Sequence, residues 1–348
     1  MVMADRPGVQ TAGIVESALT VAELGARLST TIATLPLHQP WSGPQSIVDN
    51  TIEESMREIL KTLLTYSMNL PTPRLRSLEK VLDDLCRVVL PPIATRDGVT
   101  VEDDFIREIP GVWVRPPGRP RATILYLHGG GYLATTPWMY TIFTAELVRI
   151  TGCDLFIVDY RLAPEFPFPA GLDDAIQVFE GLLDDNRTAS QIVIAGDSGG
   201  GGLATSLFED ARAAHLPEPA CALLFSPEVD LVMGEESITA NARHDVLPDE
   251  IPVRGYLGER DPHDPRVSAV YADVDGFPAS FVARGTNEMF RDEIGRFVAK
   301  LRDTGIEVES FLAPNMFHVY EILMPWAGVS RATLKRAADF LDRHLTDG

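Results

Sequence analysis

Positive charge is scarce in this chain of 348 residues: 30 Lys and Arg stand against 50 Asp and Glu, a formal net charge of −20. A nucleic-acid backbone is met by clustered cations, so this balance argues against nucleic acid as a partner. Cysteine is also sparse, with Cys86, Cys153 and Cys221 far apart. Their odd number and the lack of any C-x-x-C spacing point to neither a disulfide framework nor a zinc or dithiol site. No apolar run approaches the roughly 18 residues that a membrane-spanning helix needs. At the N-terminus a basic stretch followed by an unbroken apolar one is missing, and Asp5, Glu16 and Glu23 stand there instead. The expectation is a cytoplasmic location without a secretory signal.

What is present is the composition of a globular protein, 45% hydrophobic and 23% charged. The length suits one α/β core with an added segment. Residues 13–35 place apolar residues at helical spacing, and a Pro-containing stretch over 35–44 interrupts them. Ile52, Met56, Ile59, Leu60, Leu63 and Leu64 recur at three- and four-residue steps within 46–70, and 75–90 repeats the pattern after Pro71 and Pro73. These are amphipathic helices, and residues 1–100 read as a helical appendage to a core spanning 101–348.

Beyond residue 100, short apolar runs alternate with helical stretches, the pattern of a mostly parallel sheet flanked by helices. The spacing predicts an opening hairpin from strands at 105–109 and 112–115, then strands at 122–127, 154–158, 191–195, 222–225, 280–283 and 308–312. Helices are expected at 291–304 and 328–345. The 122–127 strand runs into His128-Gly129-Gly130-Gly131, and the 191–195 strand ends at Gly196-Asp197-Ser198-Gly199-Gly200.

A G-x-S-x-G pattern is weak alone, but here it falls at a strand-to-helix junction, the context in which a serine is presented as a nucleophile. Bare glycines after another strand let backbone N–H groups approach a developing oxyanion. Gly130 and Gly131, with Gly129 as a further candidate, and Gly199 beside the serine are the expected donors. A phosphate loop is the main competitor. It lacks both the Walker Lys-Ser/Thr and the G-x-G-x-x-G with a downstream ribose-binding acid.

A serine hydroxyl needs an imidazole to take its proton and a carboxylate to orient that imidazole. Of seven histidines, His215, His244, His263, His318 and His344 follow Ser198. His215 and His344 fall in helices and His244 and His263 in polar turns, which leaves His318, in Asn315-Met316-Phe317-His318, after the last expected strand. His128 reads as structural. The loop after the 280–283 strand holds Glu288, Asp292 and Glu293. Asp292 and Glu293 suit the start of the next helix, where carboxylates meet the positive end of its dipole. Glu288 is favoured, although spacing does not separate the three.

Together these residues resemble the hormone-sensitive-lipase family of α/β-hydrolases, the H-G-G-G esterases, over roughly 100–345. The resemblance extends to Asp159-Tyr160-Arg161-Leu162-Ala163-Pro164-Glu165, Pro167-Phe168-Pro169-Ala170, Ser226-Pro227, Tyr256-Leu257-Gly258 and Asp261-Pro262. It implies an α/β-hydrolase fold under an N-terminal helical cap and a Ser198-His318-Glu288 triad, Glu288 matching the family's acid within Asn287-Glu288-Met289-Phe290-Arg291-Asp292. Short- to medium-chain carboxylic esters are the implied substrates, with neither metal nor organic cofactor. The same triad suits amides, lactones or carbamates, and a non-catalytic binding protein on this scaffold is the rival from another class. The apolar stripes of 1–100 equally suit a lid, a homodimer face or packing on the core.

The chain departs from the family at three places. Gly199 replaces a usual alanine and extends a glycine run to Gly202, which is expected to loosen the following helix. Glu228 replaces an aromatic residue, where it would repel anionic substrates if it faces the pocket; a solvated strand end is the other reading. The segment 231–256 is short, implying a reduced second part of the cap.

Overall fold

The computed structural model describes residues 3–37, 47–185 and 187–345. Eight strands form one sheet: β1 (Thr100–Ile106), β2 (Ile109–Arg115), β3 (Thr123–Leu127), β4 (Asp154–Val158), β5 (Ile192–Asp197), β6 (Cys221–Phe225), β7 (Ser280–Gly285) and β8 (Val308–Ala313). Their order across the sheet is β1-β2-β4-β3-β5-β6-β7-β8. Strand β2 pairs antiparallel with β1 and β4, and every later pair is parallel.

The parallel strands are apolar at nearly every position because both faces of the sheet are covered. Leu125 and Leu127, Ile192 and Ile194, Ala222 and Leu224 point into one layer. That layer is completed by α6 (Ala170–Asp184), α7 (Ser198–Ala213) and α10 (Arg291–Asp303). The alternate residues Ile124, Tyr126, Val193, Ala195, Leu223 and Phe225 point the other way. There they meet α5 (Thr141–Thr151) and α12 (Gly328–His344). A parallel sheet sends all its carboxyl ends to one edge, and the loops after β3, β5, β6, β7 and β8 carry the glycines, Ser198, Glu228, Glu288 and His318.

Before the sheet lie α1 (Ile14–Thr34), α2 (Ile47–Met68), α3 (Thr72–Val89) and the single turn α4 (Pro91–Ala94). These match the helices expected near 13–35, 46–70 and 75–90; most of the expected 35–44 loop falls outside the described residues. Pro73 sits in the first turn of α3, where its missing N–H has no helical acceptor to lose. Short helices α8 (Glu236–Ala240), α9 (Arg254–Leu257) and α11 (Tyr320–Leu323) complete the description. Among the described residues, no helix is long and apolar enough to cross a membrane.

The opening hairpin differs from expectation. Strand β1 starts at Thr100 and the turn falls at 107–108, with Ile106 paired to Ile109, so Pro110 and Gly111 lie inside β2. They look like turn residues for another reason. The Pro110 carbonyl accepts from Asp159 N, and a side chain at Gly111 would collide with Phe156 and the Ile157 carbonyl of β4.

Helix α3 is fastened to the core by Arg76, whose side chain is fully buried. Its Nη1 donates to Glu79 Oε2 at 2.8 Å and the Leu133 carbonyl at 2.7 Å; its Nη2 donates to Glu165 Oε2 at 2.6 Å and the Ala163 carbonyl at 2.7 Å. Glu79 Oε1 in turn accepts from Thr135 N at 3.1 Å. The stretch immediately after the glycine loop is thus held by α3. Removing one partner of a buried pair leaves the other charge uncompensated, typically at about 3–5 kcal/mol. Arg76→Met is expected to lower the unfolding free energy by about that amount; an unchanged urea midpoint would show that the network carries no net stability.

Candidate active site

Ser198 is the first residue of α7, directly after β5, and its φ is +51°. For a residue with a side chain this conformation costs about 1–3 kcal/mol, and it turns the hydroxyl out of the sheet edge. The turn is tight because α7 runs against the end of β3. A side chain at Gly200 would meet the carbonyls of Leu127 and His128, and one at Gly202 the Glu228 carbonyl at 2.5 Å. The glycine run therefore answers to close approach, and the expected loosening is offset by contact with backbone on both sides. Gly199 is different, since its nearest neighbour would be Tyr132 N at 3.1 Å. An alanine needs only a few tenths of an ångström there.

His318 follows β8, and its Nε2 lies 2.8 Å from Ser198 Oγ. Burial holds this imidazole at about 3, so it is neutral and able to accept the serine proton. Glu288 follows β7 and is fully buried. Its Oε2 accepts from Ser226 Oγ at 2.6 Å and from Gly285 N at 3.0 Å. Burial pushes its carboxyl well above the ordinary range. Among the described residues, Glu288 Oε1 and His318 Nδ1 are both buried without a hydrogen-bond partner. The structure joins Ser198 to His318 and shows no hydrogen bond between Glu288 and the imidazole. Asp292 and Glu293 are engaged elsewhere, Asp292 Oδ2 accepting from Ser237 N at 3.1 Å and Glu293 Oε1 from Val229 N at 3.2 Å.

The glycine loop is placed by Asp197. Its carboxylate accepts from Tyr126 Oη at 2.8 Å, Tyr140 Oη at 3.2 Å and Gly129 N at 2.9 Å. This corrects the expectation for Gly129: its N–H is committed to Asp197 and does not face the serine. The N–H groups of Gly130 and Gly131 have no acceptor among the described residues. They sit at φ +113° and +61°, which lets them turn toward the serine. His128 stacks on Tyr160 at 4.4 Å and its Nδ1 lies 2.9 Å from Thr135 Oγ1, a structural role as expected.

Sequence reasoning missed Asp245. This buried carboxylate accepts from His318 N at 2.9 Å through Oδ1 and from Met289 N at 2.6 Å through Oδ2, while Val246 N closes on Oδ1 at 2.7 Å. One side chain thus ties the histidine loop to the acid loop. The 231–256 segment has no periodicity to mark it, so no sequence signal pointed there.

A cavity of about 390 Å³ opens at Ser198. Its walls are mostly apolar: Leu60, Leu64 and Met68 from α2, Leu82 from α3, Leu90 just beyond it, and Trp326. Glu228 also lines it.

The sequence of residues 124–322 matches the alpha/beta hydrolase fold family, and the chain belongs to that family. It is 32% identical to an acetyl-hydrolase of Streptomyces hygroscopicus over 68% of this chain and 80% of that protein. It is 30% identical to an esterase of Acinetobacter venetianus over 76% and 88%. A crystal structure of a hormone-sensitive lipase from a metagenome library superposes with a TM-score of 0.74 at 30% identity, covering 83% of this chain and 98% of that one. Within the family, the hormone-sensitive-lipase-like esterases are the branch this chain resembles in both sequence and structure.

Burial raises Asp197 to about 7, Glu228 to about 8 and Glu321 to about 8. Between about pH 8.5 and 6.5 the folded chain takes up protons on these carboxyls and the unfolded chain does not, so stability is present at the lower pH and lost as pH rises. His318 and His128 act oppositely, but only below their ordinary range near 6.5. The melting temperature is expected to rise as pH falls from about 8.5 to about 6.5; a decrease over that window would contradict the buried placement of these acids.

Proposed function

We propose that this chain is a carboxylesterase with Ser198 as nucleophile, His318 as general base and acid, and Glu288 as the carboxylate that supports the imidazole. The observation that carries the reading is the 2.8 Å contact of Ser198 Oγ with His318 Nε2 at a strand-to-helix elbow. A binding protein on this scaffold would have no use for that contact.

In the proposed reaction, His318 Nε2 takes the hydroxyl proton as Ser198 Oγ attacks the ester carbonyl. The carbonyl oxygen becomes an oxyanion stabilised by N–H groups of Gly130, Gly131 and Gly199, preorganised donors of the kind that give the largest catalytic effect in acyl transfer. The tetrahedral intermediate collapses, His318 returns the proton to the leaving alcohol, and an acyl-enzyme remains on Ser198. Water then attacks with His318 again as base. Once the imidazole is charged, Glu288 Oε1 and His318 Nδ1 have complementary needs, the first lacking a donor and the second an acceptor. Closing that bond is assigned to the reacting complex, where catalytic hydrogen bonds commonly tighten.

Residues 1–100 are proposed as the cap. Helices α2 and α3 supply the apolar wall opposite Ser198, α3 fastened through Arg76 and α2 through Arg57 and Lys61 to the carbonyls of Arg243 and Ala242. The cavity of about 390 Å³ gives room for a medium acyl chain.

Ser198→Ala is expected to lower kcat/KM on a short chromogenic ester by roughly 10⁴-fold or more. Glu288→Gln should lower it by about 10³–10⁴-fold and Asp292→Asn by less than about tenfold. The reverse order for the two acids would move the carboxylate role to Asp292. Across a series of acyl lengths, kcat/KM is expected to climb by up to about fourfold per added carbon, from ~0.8 kcal/mol per buried methylene, until the cavity is full. A monotonic fall from acetate onward would show that the chain does not enter this cavity.

A further inference from the structure

Among the buried polar groups that line the cavity at Ser198, Glu228 takes no part in the proposed mechanism. Glu228 stands two residues beyond Ser226, after β6, and its N–H donates to the Ser198 carbonyl at 2.9 Å, which fixes its backbone beside the nucleophile. The residue is 1% exposed and lines the same cavity as Ser198, Leu247 and Ile251. Its Oε1 is buried and meets no hydrogen-bond donor among the described residues. No lysine, arginine or histidine pairs with it in the described part of the chain, and the ionisable groups beside it are Tyr132, Tyr160, Tyr256 and Glu293. Burial alone raises its carboxyl to about 8, so it is a neutral carboxylic acid at neutral pH and does not repel anions as the sequence suggested.

A neutral carboxylic acid offers one donor and a free acceptor, and left unmatched in an apolar cavity it is destabilising. A substrate group that both donates and accepts removes that cost. A site with an unmet polar group also discriminates against ligands that lack the partner, much more strongly than an apolar wall discriminates by size. We propose that Glu228 is a specificity-determining residue that hydrogen-bonds a hydroxyl group on the ester substrate, so that the preferred substrates are hydroxylated esters rather than plain alkyl ones. This rests on the esterase reading, since it concerns which esters enter the cavity at Ser198. An ammonium group is the other donor a carboxyl could take. It would need Glu228 ionised in a cavity without a counter-cation, and the hydroxyl needs no charge.

The test is a pH-stat comparison of kcat/KM for ethyl butanoate, ethyl 3-hydroxybutanoate, 2-hydroxyethyl butanoate and 2-(dimethylamino)ethyl butanoate, which place a hydroxyl on the acyl side, on the alcohol side, or replace it with an ammonium. The wild type is expected to favour at least one hydroxylated ester over ethyl butanoate by about tenfold, the ratio equivalent to ~1.4 kcal/mol. Glu228→Gln, which keeps a donor and an acceptor, should retain most of that ratio. Glu228→Leu should bring it near one, whatever happens to the absolute rates. A wild-type ratio near one for both hydroxylated esters overturns the proposal without needing any variant to fold. So does a ratio unchanged in Glu228→Leu, or a preference for the ammonium ester above both hydroxylated ones. Hydrolysis of ethyl butanoate by the wild type keeps the esterase reading standing in each of those cases; turnover of none of the four esters removes both.

Discussion

The rest of the structure depends on one hydrogen bond, from Ser198 Oγ to His318 Nε2, between residues 120 apart in the chain. Their strands are not neighbours: β6 and β7 lie between β5 and β8. The histidine loop must therefore reach across two strand ends, and the polar groups at those ends form its support. Ser226, after β6, donates to Glu288 and accepts Val319 N at 3.2 Å. Asp245 accepts the amides of His318 and Met289. Parallel pairing in fixed register makes this bridging reproducible, because a slip of one residue would turn Ser198 and its support to opposite faces.

The second feature of the site is that its acids are dry. Asp197, Asp245, Glu228 and Glu288 are all buried around the nucleophile, and desolvation raises each of them. Asp197 and Asp245 spend their oxygens on backbone amides, Asp197 on tyrosine hydroxyls as well, and so act as fasteners for the glycine and histidine loops. Glu288 is half satisfied, which leaves an oxygen for the imidazole. Glu228 has a buried oxygen with no partner among the described residues. A net charge of −20 thus says little about the pocket itself, where burial pushes each of these acids above its ordinary range.

Much of the fold was legible because a parallel sheet leaves a strong imprint: apolar runs such as Thr123–Leu127 and Ile192–Asp197, each followed by glycine and then a helix. The serine, the histidine and the glycine loop were legible for a chemical reason, since a nucleophile elbow tolerates few residue types. The hairpin was misplaced because Pro110 and Gly111 carry turn chemistry while their real constraint is the neighbouring strand β4. Gly129 was placed among the oxyanion donors because spacing does not reveal that Asp197 takes its N–H. Asp245 was invisible because the loops it joins are held through backbone groups more than 40 residues away, and backbone partners leave no trace in residue identity.

The central claim is that Ser198 is a nucleophile activated by His318, and trapping the serine tests it without choosing a substrate. A fluorophosphonate reagent should add once per chain, the modified peptide should be the one containing Ser198, and His318→Ala should slow the labelling severely while the protein remains folded. Labelling at another residue, or labelling at Ser198 that is equally fast without His318, would contradict the account.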